Sequence, residues 1–248
     1  MDKDLETLKT GSQFVFSATK IDKLGAAEYT LATIVTDVSG SVAGFSAQLE
    51  NAVKTVVKSC QKSPRSDNLM LRFVTFSHDL NEIHGFKLLN TCQESNYDGT
   101  INCGGNTALF GAALESIEAT ITYGGQLMKQ EFLVNGIVVL ITDGEENASK
   151  GVSTKQIQKA INEVQKAESL ESLTVVLVGV TQGNQGLSGY LKDFADQTGI
   201  TSYIDIGSVS AGKIAKLANF ISHSISSTSS ALGTGKASQP LDPKAFAI

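Results

Sequence analysis

The sequence predicts a doubly wound α/β fold, a mostly parallel sheet with helices on both faces and one antiparallel edge strand. Three observations carry this. Short runs such as Leu31-Ala-Thr-Ile-Val-Thr36 and Gly136-Ile-Val-Val-Leu-Ile-Thr142 are mostly apolar or β-branched, as in strands covered on both faces. Between such runs lie stretches whose apolar residues recur at three- and four-residue steps, the period of one helix face. The two kinds of segment alternate, which implies right-handed crossovers and parallel neighbours.

Taken in order, residues 14–19 offer an added edge strand, and residues 31–36 form the first buried one. Val42, Phe45, Leu49, Val53, Val56 and Cys60 then fall on one helix face. Turn chemistry at Ser63-Pro64-Arg65-Ser66-Asp67-Asn68 ends that helix, and residues 69–76 read as the next strand. Residues 80–90 suggest a short exposed edge strand or hairpin, followed by a polar loop over 91–106. A helix is expected over 107–122, the strongest buried strand over 136–142, and a helix over 153–170. After these come a strand at 173–180, a short helix at 190–198, a strand at 201–206 and a helix at 209–226. The division that follows is one domain over 1–228, with its core at about 29–226, and a flexible tail over 229–248 that lacks a periodic apolar face.

Bulk properties narrow the function. The 248 residues are 41% hydrophobic and 18% charged with a formal charge of −5, so no basic footprint exists for a nucleic-acid backbone. No apolar run approaches the roughly 18 residues that cross a bilayer. The first fourteen residues carry acidic groups and lack the apolar core of a secretory signal. Cys60, Cys92 and Cys103 are odd in number and match no zinc spacing. These features together predict a cytoplasmic protein with reduced thiols.

In open α/β sheets, ligands gather at the carboxyl ends of the strands. Asp37-Val38-Ser39-Gly40-Ser41 follows the first buried strand, Asp143-Gly144-Glu145-Glu146-Asn147 follows the strongest, and Gly104-Gly105-Asn106-Thr107 opens a helix between them. Asp37, Ser39, Ser41, Thr107 and Asp143 thus offer two carboxylates and three hydroxyls. An all-oxygen set with few carboxylates suits a hard cation, Mg²⁺ ahead of Mn²⁺ or Ca²⁺. Helix N-termini repel cations, so the two carboxylates must outweigh them and affinity is expected to be weak to moderate until a partner adds a negative ligand.

The pattern Asp37-x-Ser39-x-Ser41, then Thr107, then Asp143 in a Thr-Asp-Gly turn resembles the metal-ion-dependent adhesion site of von Willebrand factor A domains, with the likeness extending over about 29–226. That resemblance implies a Rossmann-like fold. It also implies Ser39, Ser41 and Thr107 as hydroxyl ligands, Asp37 and Asp143 acting directly or through water, and protein partners that donate a Glu or Asp. Intracellular relatives of this kind, bacterial or phage, often work beside AAA+ ATPases or in stress and conflict systems. The expected role is binding, not catalysis.

Singly, Ser41 and Thr107 could be helix caps and Asp143-Gly144 a plain turn; their joint placement after the right strands favours the metal site. His78, Asp79, Glu82 and His84 are expected on a solvated edge. Gly179, Gly183, Gly186 and Gly189 read as a surface loop, since no Gly-Lys-Ser/Thr follows. Glu145 and Glu146 are expected to be solvated, with one at the rim of the site. An Mg²⁺-dependent phosphohydrolase is the rival function, disfavoured because Asp37 opens no D-x-D and no Lys ends a buried strand. Self-assembly through a donor such as Asp242 is the third possibility.

Overall fold

The computed structural model describes residues 3–167, 169–207, 210–235 and 240–246. Eight strands form one sheet in the order β1-β2-β5-β4-β3-β6-β7-β8. They are β1 (Leu5–Lys9), β2 (Val15–Thr19), β3 (Glu28–Asp37), β4 (Leu69–Phe76), β5 (Leu80–Leu88), β6 (Leu133–Thr142), β7 (Ser172–Gly179) and β8 (Ser202–Asp205). The five strands β4-β3-β6-β7-β8 run parallel, and β5 lies antiparallel to β4. Within that six-strand unit β5 is the antiparallel edge expected from the sequence. The β1–β2 pair joins this edge at the register Ala18↔Phe86, which makes β1 the outermost strand. This junction depends on Gly85: a Cβ there would lie 1.9 Å from the Ser17 carbonyl oxygen.

Burial follows the sequence pattern. Every residue of β4 and all but the first of β3 and β6 are buried. On one face, α1 (Ser46–Gln61) and α5 (Ala211–Gly233) pack Leu49, Val53, Leu217 and Ile221 against Ile34, Ile137 and Val139. On the other, α2 (Leu109–Met128), α3 (Thr154–Ala167) and α4 (Gln185–Thr198) pack Leu114, Ile117, Ile157 and Leu191 against Val35, Val138 and Leu177. A third cluster joins the hairpin to the domain through Phe16, Phe86, Tyr123 and Leu127.

Several boundaries move from expectation. β1 was not anticipated, because its sequence Leu-Glu-Thr-Leu-Lys is polar and half exposed. The helix expected after Ser41 begins as a 3₁₀ turn over Gly40–Phe45 before α1. α4 starts at Gln185, not near 190, because the Asn184 side chain accepts from Gly186 N and Leu187 N; Gly186 and Gly189 are therefore helical and not loop. α5 continues to Gly233 with Ser229 and Leu232 buried, so the expected tail boundary at 228 falls inside a helix. Leu241 packs against the core, while 236–239 and 247–248 lie outside the described residues, as does the expected helix start at 209. The solvated reading of this edge fits His78 and Asp79, which precede β5 and are exposed. It fails for Glu82, which receives bonds from Arg72 and Ser17, and for His84, which is held between Gly85 O and Tyr97 Oη. Among the described residues no helix is long and apolar enough to cross a membrane.

Candidate metal centre

The five oxygen residues singled out in the sequence meet at the carboxyl end of the sheet. Asp37 is the last residue of β3 and Thr142 the last of β6, its neighbour. Thr142 Oγ1 donates to Asp37 Oδ2 at 2.6 Å, and Ser39 N donates to Asp37 Oδ1 at 2.7 Å. Each carboxylate oxygen so engaged keeps a further lone pair. Ser41 Oγ donates to Asp143 Oδ1 at 2.7 Å and lies 3.2 Å from Ser39 Oγ. These bonds lock the first and third loops together.

The middle loop is fixed to both. Gly40 N donates to Gly105 O, and Gly104 N to Val38 O. Thr107 N donates to Asn147 Oδ1 at 2.8 Å while Asn147 N donates to Thr107 O at 3.0 Å. Thr107 Oγ1 faces Gly144 so closely that a Cβ there would stand 2.9 Å from it. Asp37, Ser39, Thr107 and Asp143 are almost fully buried, and Ser41 is exposed.

Electrostatics leave the two carboxylates of this cluster without a cationic side chain among the described residues. Burial holds the Asp37 carboxyl above its ordinary range, against the bonds from Thr142 and Ser39. Burial pushes Asp143 up to about 6, with the Asp37 charge adding to it and the Ser41 bond opposing. Among the described residues, no Lys, Arg or His forms an ion pair with either carboxylate. Two buried, uncompensated carboxylates beside three hydroxyls are a donor set that a divalent ion would satisfy. The Cys103 thiol is raised by burial and then by the charges of Asp143 and Asp37, which places it within reach of the same field.

The residues that hold the loops were not found from sequence. Thr142, Asn147 and Gly144 position the donors, and Glu146 caps α2. Its Oε2 accepts from Phe110 N at 2.6 Å and its Oε1 from Ala148 N and Ser149 N, while Ser149 Oγ accepts from Gly111 N at 2.8 Å. Glu146 is thus a fixed carboxylate at a helix N-terminus and not a solvated one. The positive end expected to repel a cation is neutralised there. The only sequence signal was the run Glu145-Glu146-Asn147 itself, three polar residues following a strand end.

A family model described as the von Willebrand factor type A domain matches residues 33–208. The chain belongs to the von Willebrand factor type A domain family. Solved structures similar to this type A domain include the PilB minor pilin from Streptococcus sanguinis, with 15% identity and a TM-score of 0.55 over 86% of this chain and 65% of that one. Proximal thread matrix protein 1 from the mussel byssus is 20% identical with a TM-score of 0.52, over 82% of this chain and 47% of that one. The pilus adhesin SpaC from Lactobacillus rhamnosus GG is 12% identical with a TM-score of 0.57, over 92% and 35%. The chain therefore spans less than two thirds of each of these proteins, and at such identities the likeness is one of fold. No curated protein matches the chain at a significant level.

Proposed function

We propose that this type A domain is a divalent-metal-dependent protein-binding module. Asp37, Ser39, Ser41, Thr107 and Asp143 would hold one ion, Mg²⁺ ahead of Mn²⁺ or Ca²⁺. When bound, the ion supplies a Lewis-acidic position that accepts a Glu or Asp carboxylate from a partner protein. The supporting observation is the convergence of two buried, unpaired carboxylates with three hydroxyls at one strand-end cluster.

The chain's own residues supply the rest of the behaviour. Two carboxylates balance the divalent charge, and hydroxyls are weak donors, so the ion stays electron-poor and favours an additional anionic ligand. Asn147 and Thr142 keep the donors in place, which reduces the ordering cost at binding. The free cysteines agree with a cytoplasmic setting, which we propose as the location.

Isothermal titration of the full chain with Mg²⁺ and Mn²⁺ tests the reading. Saturable binding near one ion per chain is expected for the wild type and is expected to vanish in Asp143→Ala. Equal binding by the two proteins would remove Asp143 from the centre and the proposal with it.

A further inference from the structure

Residues 91–106 lead from β5 toward Thr107 and carry the middle loop of the candidate centre. The segment is mostly polar, and its buried side chains are Cys92, Tyr97 and Ile101. Its start is held by Gln61 Nε2, which donates to Leu89 O and Cys92 O. Its far end is tied to the first loop, where Gly104 N donates to Val38 O and Gly105 O accepts from Gly40 N. Outer contacts join it to α1: Gly99 N donates to Glu50, and Lys54–Asp98 and Lys58–Glu94 form ion pairs. A segment with so few buried apolar contacts depends on each interior anchor.

Tyr97 is the central anchor. It is fully buried at the end of the 3₁₀ turn Glu94–Tyr97, its ring edge-on to Phe73 at 5.5 Å and to His84 at 5.7 Å. Its hydroxyl lies 3.0 Å from Nε2 of His84, whose Nδ1 lies 2.9 Å from Gly85 O. A carbonyl oxygen only accepts, so Nδ1 carries the hydrogen. In the neutral ring Nε2 is then a lone pair, and the Tyr97 hydroxyl donates to it. Burial raises the phenol above its ordinary range, which keeps that hydrogen in place.

Protonation of His84 reverses the arrangement. Both ring nitrogens then donate, and Nε2–H points at the Tyr97 oxygen. The phenol hydrogen loses its acceptor. The other polar group beside it is the Cys92 thiol, a weak acceptor whose own hydrogen points to Leu88 O at 3.8 Å. Desolvation opposes a charge on the ring, as do Lys87 and Arg72, while the Gly85 bond and Glu82 favour it. Glu82 is already engaged by Arg72 and Ser17.

We propose that His84 and Tyr97 form a proton-controlled latch on residues 91–106. Neutral His84 accepts from Tyr97 and keeps the segment closed. Protonated His84 releases Tyr97, and the segment loosens between its ties to Gln61 and Val38 while the sheet beneath stays folded. In the opened segment His84 takes up its proton at the ordinary value, so acid favours opening. The latch needs no ion and goes beyond the metal-dependent reading, whose failure would leave it standing.

The Cys92 thiol, buried beside the Tyr97 hydroxyl, reports opening, and the buried Cys60 of α1 reports unfolding of the domain. The full chain in EDTA is treated with dipyridyl disulfide, a thiol reagent active in acid, between pH 7 and pH 5. Labelling of each cysteine is read by peptide mass spectrometry, as a rate relative to a free thiol peptide at the same pH. Expected is a rise of about tenfold in relative Cys92 labelling as pH falls, with Cys60 unchanged. In His84→Gln, which cannot titrate, the rise is absent. In Tyr97→Phe, which keeps the ring and loses the hydroxyl, Cys92 is labelled faster already at pH 7 and without the rise. A flat wild-type profile, or Cys60 labelling that climbs together with Cys92, overturns the latch. A rise that persists in either variant also overturns it, and where one variant does not fold the other decides.

Discussion

Gly144 illustrates how a residue that offers no side-chain ligand shapes the candidate centre. It has room for hydrogen alone, because a Cβ would press within 2.9 Å of Thr107 Oγ1. Gly144→Ala is therefore expected to push that hydroxyl aside and weaken Mg²⁺ affinity about tenfold, as loss of a supporting group does in metal sites. Titration calorimetry beside a thermal melt checks this; unchanged affinity in a folded variant would mean that Thr107 takes no part. A second residue controls acid stability. His84 is half-buried, held between Gly85 O and Tyr97 Oη, and its desolvation lowers its pKa. Lys87 and Arg72 lower it further, while the Gly85 bond and Glu82 oppose. The folded protein thus prefers neutral imidazole and the unfolded chain takes up the proton first. His84 contributes fully above about pH 6.5, and that contribution is lost as pH falls through the lowered folded value. Urea unfolding between pH 7 and pH 5 should show a decline no steeper than about 1.4 kcal/mol per pH unit from this residue, and a shallower one in His84→Gln. Parallel declines in the two proteins would refute the assignment.

Among the elements, the β1–β2 hairpin is the most sensitive to a single change. Its approach to β5 runs over Gly85, so Gly85→Ala meets the Ser17 backbone and forces the strands apart. A loss of about 1–3 kcal/mol is expected in denaturant melts, with the parallel strands β3 and β6 keeping their amide protection. Uniform loss of protection across the sheet would show the hairpin to be integral to the core. The same elements show what could be read from sequence. β3, β4, β6 and β7 were legible because strands covered on both faces must be apolar throughout, and α1 because its stripe repeats at the helical period. β1 was not, since a half-exposed strand paired with one neighbour needs no apolar pattern. The start of α4 was obscured by Gly186 and Gly189, whose poor helix propensity is outweighed by the Asn184 cap. Of the candidate centre, the oxygen donors followed from strand-end position, whereas Thr142, Asn147 and Glu146 act through bonds across 36 to 105 residues. Such partners have no local signature.

At the scale of the whole molecule, two helical layers seal a sheet whose carboxyl ends gather the polar loops at one end. The rigid part of that arrangement is the pair β3–β6, which brings Asp37 beside Thr142 and sets Asp143 one residue beyond. Phe14 and Val15 of the hairpin line a cleft whose other lining residues include Asn106 and Ala108, the neighbours of Thr107. Burying two carboxylates without a cation opposes folding, and an ion that binds the native state alone stabilises it by mass action. The central claim is therefore a claim about where one ion sits. An anomalous difference map from crystals grown with Mn²⁺ examines it directly. The account predicts a single strong peak between Asp37 and Asp143, within bonding distance of the Ser39, Ser41 and Thr107 hydroxyls. A peak elsewhere, or none at that cluster in Mn²⁺-saturated crystals with a carboxylate available, would contradict it.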